Sequence, residues 1–150
     1  MRIRSIKPEF WTSEDIAALD WPTRLLFIGL WSYVDDNGVG RDNPKLIKAD
    51  LFPLEDDPRE TLATVSRGLQ ALCDGGQIDR YSVDGKPFLY VNAWPDHQRI
   101  DRPNKPRYPL PTCGNAVPRD TLATPSRDPS DRSRGTGEQR SRGKRLLRIG

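Results

Sequence analysis

Arg67 stands in a stretch whose apolar residues, Leu62, Val65, Leu69 and Leu72, recur at helical spacing. On a helical wheel Arg67 lies opposite that stripe, with Thr64 near it and Gln70 to one side. These residue types suit a groove-reading helix. Arginine bonds guanine O6 and N7 together, and glutamine does the same for adenine N6 and N7. Glu60 and Asp74 share the exposed half, so the face is mixed in charge, and an isolated arginine there is equally what a solvated helix carries. Arg80 and Lys86 flank a turn signal downstream, where a cation would meet phosphate and so position a protein without specifying sequence. Lys45 and Lys48 precede the helix, where they would touch the same backbone or serve solubility alone. The N-terminal arm carries Arg2, Arg4 and Lys7, and Arg99, Arg102, Lys105 and Arg107 follow the turn segment. Basic extensions of this kind track phosphates or enter a minor groove.

Other chemistry finds little to work with. The single histidine, His97, follows Trp94-Pro95-Asp96, and no nucleophile motif, phosphate-binding glycine loop or carboxylate cluster accompanies it. Cys73 and Cys113 lie 40 residues apart, which is not a metal-binding spacing, and a zinc site needs more nitrogen and sulfur ligands than the chain clusters. Asp35-Asp36 and Asp56-Asp57 read as a helix end and a helix start. The expectation is a protein that is not an enzyme and uses no metal or cofactor.

The elements that would position these side chains follow in a legible order. Ser13 is a cap for a short helix with Ile16 and Leu19 on one face and Trp21 near its end. Pro22 suits the first turn of a second helix running to about Val34, apolar on more than one face and therefore central. Asp36-Asn37-Gly38 stops it, and Val39-Gly40 offers a very short strand. A third helix starts at Pro44 with Leu46, Ile47, Ala49 and Leu51 apolar. A fourth runs from about Pro58 to Asp74 and is terminated by Gly75-Gly76. The runs 78–83 and 87–91 around Asp84-Gly85 read as a β-hairpin. Helices followed by a hairpin is the order of a winged helix-turn-helix, an α+β and mainly helical fold in which the hairpin flanks the inserted helix.

Of the 150 residues, 1–109 hold 15 Lys/Arg and 17 Asp/Glu, net −2, whereas 110–150 hold 9 and 4, net +5. Every tryptophan, phenylalanine and tyrosine falls before Pro109. The expected organisation is a DNA-binding domain over 1–109 and a disordered Pro/Ser/Arg-rich tail over 110–150, which has too little apolar surface to offset its ordering entropy. The echo of 59–67 in 119–127 places Pro125 where Val65 stands and is read as accidental. No run is long and apolar enough for a membrane helix, and the basic N-terminus lacks the apolar stretch of a secretory signal. The chain is expected to be cytoplasmic, with no membrane partner.

Arg4-Ser-Ile-Lys-Pro-Glu-Phe-Trp11, Arg24-Leu-Leu-Phe-Ile-Gly-Leu-Trp31 and Asp35-Asp-Asn-Gly-Val-Gly-Arg41 together resemble the N-terminal domain of phage replication-initiation proteins of the replisome-organiser type, similar to the winged-helix domain of DnaD-like primosome proteins. Ile47-Lys-Ala-Asp-Leu-Phe-Pro53, Gly85-Lys-Pro-Phe-Leu-Tyr-Val91, Trp94 with His97-Gln98, and Asp101-Arg-Pro-Asn-Lys-Pro-Arg-Tyr-Pro109 continue the likeness, which covers about residues 1–109 and closely resembles versions in actinobacterial phages and prophages. The resemblance implies sequence-preferring binding of double-stranded DNA in replication initiation inside a bacterial host, with replication proteins such as a helicase as further partners. Relatives often carry a second domain for helicase recruitment, and this sequence has the basic tail in that place. A transcriptional regulator on the same fold and a protein-interaction adaptor are the alternatives. The net −2 of residues 1–109 favours the adaptor.

Overall fold

The computed structural model describes residues 1–119. They form six helices and four strands in the order α1 (Glu9–Thr12), α2 (Glu14–Ala17), α3 (Trp21–Tyr33), β1 (Val39–Arg41), α4 (Pro44–Leu51), α5 (Pro58–Asp74), β2 (Ile78–Val83), β3 (Lys86–Val91), α6 (Trp94–His97) and β4 (Ala116–Pro118). All strand pairs are antiparallel, and the sheet order is β1-β3-β2-β4.

Side chains at the helix starts set the boundaries. Asp20 accepts the Thr23 N–H at 2.9 Å and caps α3, so Trp21 opens that helix instead of closing the one before it as the sequence suggested. Asn43 and Asp57 cap α4 and α5 in the same way, each with a proline in the following turn. Asp84 and Gly85 both have positive φ (51° and 74°), the backbone of a tight turn that joins β2 to β3 at the Val83–Lys86 pair.

The main core packs α3 and α5 against one face of the sheet. Leu26, Phe27, Leu30 and Trp31 of α3 meet Val65, Leu69 and Leu72 of α5, Ile47 of α4, and Ile78, Leu89 and Val91 of the strands. Gly68 of α5 faces α3, and an added Cβ there would sit 2.6 Å from Leu26 Cδ2. Leu62, expected on the buried stripe, is only half-buried, and Gly68 fills the core-facing row instead. The unanticipated helix α1 buries Phe10 edge-on against Trp31, with ring centroids 5.5 Å apart.

The sheet's second face explains why the fold passes Pro109. Val39, Tyr81, Val83 and Phe88 form a small second cluster there, covered by Tyr108 and Ala116, and the Tyr81 hydroxyl donates to the Pro109 carbonyl at 2.7 Å. The expected boundary at 109/110 is therefore corrected. Residues 110–119 continue the folded unit and β4 pairs with β2, because a hydrophobic sheet face has to be covered. The remainder of the expected tail, and the echo over 119–127 apart from Arg119, lie outside the described residues.

Candidate nucleic-acid interface

Arg67 lies on the exposed face of α5, but it is not alone there. Its Nη2 is 2.9 Å from Glu60 Oε1 and donates to Thr64 Oγ1 at 3.1 Å, so the three residues form one ladder along the helix. Both charged side chains are about two-thirds exposed (66% and 65%), and a pair so open to water contributes little stability and exchanges readily. Gln70 is more firmly occupied. It donates to Asp74 at 2.8 Å and accepts from Arg80 Nη1 at 3.2 Å.

Arg80 is not a hairpin-tip cation. It pairs with Leu89 in the register and turns toward α5, where its guanidinium grips Asp42 through Nε (2.7 Å) and Nη2 (3.0 Å). The Asp42 side chain is fully buried and also receives Arg119. Burying that carboxylate demands bidentate cationic partners, and Arg80 serves as its structural counter-ion.

The basic side chains of the N-terminal arm are likewise tied to the core. The Arg4 side chain lies at the C-terminal end of α3 and is only 8% exposed. It donates from Nε to the Trp31 carbonyl (2.8 Å) and from Nη2 to those of Val34 and Asp35, reaches Asp36 with Nη1 (3.2 Å), and stacks 5.0 Å over Trp94. It thus satisfies orphan carbonyls where the helix dipole favours a cation. Arg2 pairs with Asp36 at 3.0 Å, Lys7 donates to the Asp96 carbonyl, and Gln98 exchanges two hydrogen bonds with Ser5. The arm is a clamp on the core. The Asn104 N–H, with Arg2 and Arg4, holds the Asp36 carboxyl below the usual carboxylate range. Asp35 accepts the N–H groups of Asn37, Val39 and Arg107, so the buried Asp35-Asp36 pair that ends α3 also pins both the arm and the exit segment.

Among the described residues, the side chains of the other candidate cations are held more loosely. Lys45 is exposed and Lys48 half-buried on α4. Arg99 makes only a loose 3.6 Å pair with Asp101, and Arg102 and Lys105 are exposed. Lys86 and Arg107 come together with Arg41 around one cleft of about 470 Å³ at the hairpin end, beside Phe88, Tyr108 and the carboxylate of Asp84. Among the described residues, none of these three cations has an ion-pair partner. Phe88 and Tyr108 lie with ring centroids 5.8 Å apart in the cleft wall. Sequence reasoning missed Arg41. Its place depends on the Arg41–Phe88 register of β1 with β3, which no local pattern carries.

His97 packs between Trp31 (ring centroids 5.1 Å apart) and Phe27 (5.8 Å), and burial pushes its pKa below the ordinary histidine value. That is a packed structural histidine. No group of three or more His, Cys, Asp or Glu side chains placed to hold a metal ion occurs among the described residues, and no helix there is long and apolar enough to cross a membrane. No family model, curated protein or solved structure gives a significant match to this chain.

Proposed function

We propose that this chain is a winged helix-turn-helix protein that binds duplex DNA with sequence preference in the initiation of phage or prophage replication, acting in the cytoplasm of the bacterial host. The observation that carries the reading is the cleft at the β2–β3 turn, where Arg41, Lys86 and Arg107 converge without carboxylate partners other than the neighbouring Asp84. Its setting supports the same reading. A helix, a short strand, two helices and a hairpin follow in turn, and β1 closes onto β3, so the hairpin stands at the side of the α4–α5 pair. In this arrangement α5 enters the major groove and the hairpin end grips the adjacent backbone.

The roles divide by how tightly each side chain is held. Arg67, in an open pair, exchanges Glu60 for a guanine edge at little cost. Gln70 is the weaker reader, because it must first release Asp74 and Arg80. Arg41, Lys86 and Arg107, with Lys45, Lys48, Arg102 and Lys105 farther out, meet phosphates and set register. Replication initiation rests on the sequence resemblance of residues 1–109. A gel shift comparing phage origin DNA with the promoter of the protein's own gene, with single-stranded and RNA controls, tests the proposal. Preference for origin duplex is the expected result. Promoter preference would move the protein to transcriptional control, and absence of duplex binding would end the reading.

A further inference from the structure

A second surface feature lies away from the hairpin end. The first turns of α3 and α5, with Phe52, enclose a groove of about 570 Å³ floored by Leu26 and Val65. Trp21 and Leu25 line it while remaining 80% and 58% exposed. An indole and a leucine this open on adjoining turns of α3, continued by Phe52, form an apolar patch that a fold gains by covering. Its border is acidic. Glu55 and Glu60 line the groove, Glu60 in its open, readily exchanged pair with Arg67, and the stretch 55–60 carries four carboxylates to one cation, Arg59.

The partner that fits is apolar with basic flanks, and the chain itself contains one. Lys144-Arg145-Leu146-Leu147-Arg148-Ile149 holds three cations and three of the four large aliphatic residues found after residue 119. The 24 residues from 120 to 143 give a reach of up to ~80 Å. That is several times the radius of ~13 Å expected for a fold of this size, so every face lies within range. Tethering also raises the local concentration to roughly the millimolar range, so a weak contact suffices.

We propose that this groove is the docking site of the chain's own segment 144–149, with Leu146, Leu147 and Ile149 laid on Trp21, Leu25 and Phe52 and its arginines facing Glu55 and Glu60. The contact needs no nucleic acid, and its test uses none, so its failure and the failure of the DNA-binding reading are separable.

The test uses the full chain and the emission of Trp21, isolated by subtracting the matching Trp21→Phe spectrum. The Leu146→Asp/Leu147→Asp variant is expected to move Trp21 emission to longer wavelength, toward that of a solvent-exposed indole. Leu25→Glu, at a side chain already more than half exposed, is expected to do the same, with thermal melts unchanged in both. High salt should shift the wild-type emission part of the way, because the flanking charges are screened. Unchanged Trp21 emission in the Leu146→Asp/Leu147→Asp variant would overturn the proposal and leave the groove to another molecule. A wild-type emission that varies with protein concentration would also overturn it, by showing that the occupant comes from a second copy.

Discussion

Replacing Arg4 with alanine should unfold the protein far more easily than it should weaken any ligand. The Arg4 side chain is 8% exposed and donates to three main-chain carbonyls at the end of α3 while facing the Asp36 carboxylate and the Trp94 ring. Alanine removes all of these partners. Loss of one member of a buried, hydrogen-bonded ion pair costs roughly 3–5 kcal/mol. Here Arg2 and Asn104 remain on Asp36, which places the loss at the lower end, about 3 kcal/mol. For a fold of this size that is a fall of roughly 10 °C in Tm. Urea unfolding followed by tryptophan emission measures it, with an unchanged m-value showing that the same folded state is being lost. Arg4→Lys should recover little, because an ammonium cannot span the carbonyls that the guanidinium fork reaches. A stability within about 0.5 kcal/mol of wild type would refute the clamp and return Arg4 to the surface as a phosphate contact.

Gly68→Ala should destabilise by about 1 kcal/mol in the same assay despite alanine's better helix propensity, because the new methyl meets Leu26 at the α3–α5 crossing; a stabilised variant would show that the two helices can part. The unfolded state takes up a proton at the ordinary histidine value and the folded state only at lower pH, since burial depresses the pKa of His97; stability should therefore fall as pH drops below about 6.5, and His97→Gln should remove that component of the Tm change, whereas an unaltered pH slope would contradict it. Arg67→Ala should leave the fold intact and cost about 1–3 kcal/mol on a preferred duplex with relaxed preference at one base, and equal losses on preferred and random duplex would remove it from base reading.

The elements were legible where local chemistry decides them. Pro22, Pro44 and Pro58 mark helix starts, Gly75-Gly76 marks a stop, and Asp84-Gly85 supplies the two positive-φ residues of the hairpin turn. Trp21 was misplaced because Asp20 and Ser13 are both good caps, and only the Thr23 N–H bond shows that Asp20 opens α3. The β4 strand was invisible because three residues at a sheet edge have no periodicity, and their partner, β2, lies more than 30 residues upstream. The candidate site suffered in the same way. Composition shows which residues carry charge, but not that Asp42 lies buried under Arg80 or that Asp36 gathers Arg2 and Arg4. Long-range counter-ions divided the cations into structural and free ones, and those pairings follow from the tertiary fold.

The salt dependence of duplex affinity tests the central claim most directly, comparing wild type with Arg41→Ala/Lys86→Ala/Arg107→Ala by fluorescence anisotropy. Each phosphate contact contributes about −0.9 to the slope of log K against log salt, so the triple variant should lose roughly 2.7 from the slope on preferred and random duplex alike, with its unfolding midpoint unchanged. An unaltered slope in the triple variant, or a wild-type protein without measurable affinity for any duplex, would contradict the assignment of the hairpin-end cleft to the DNA backbone.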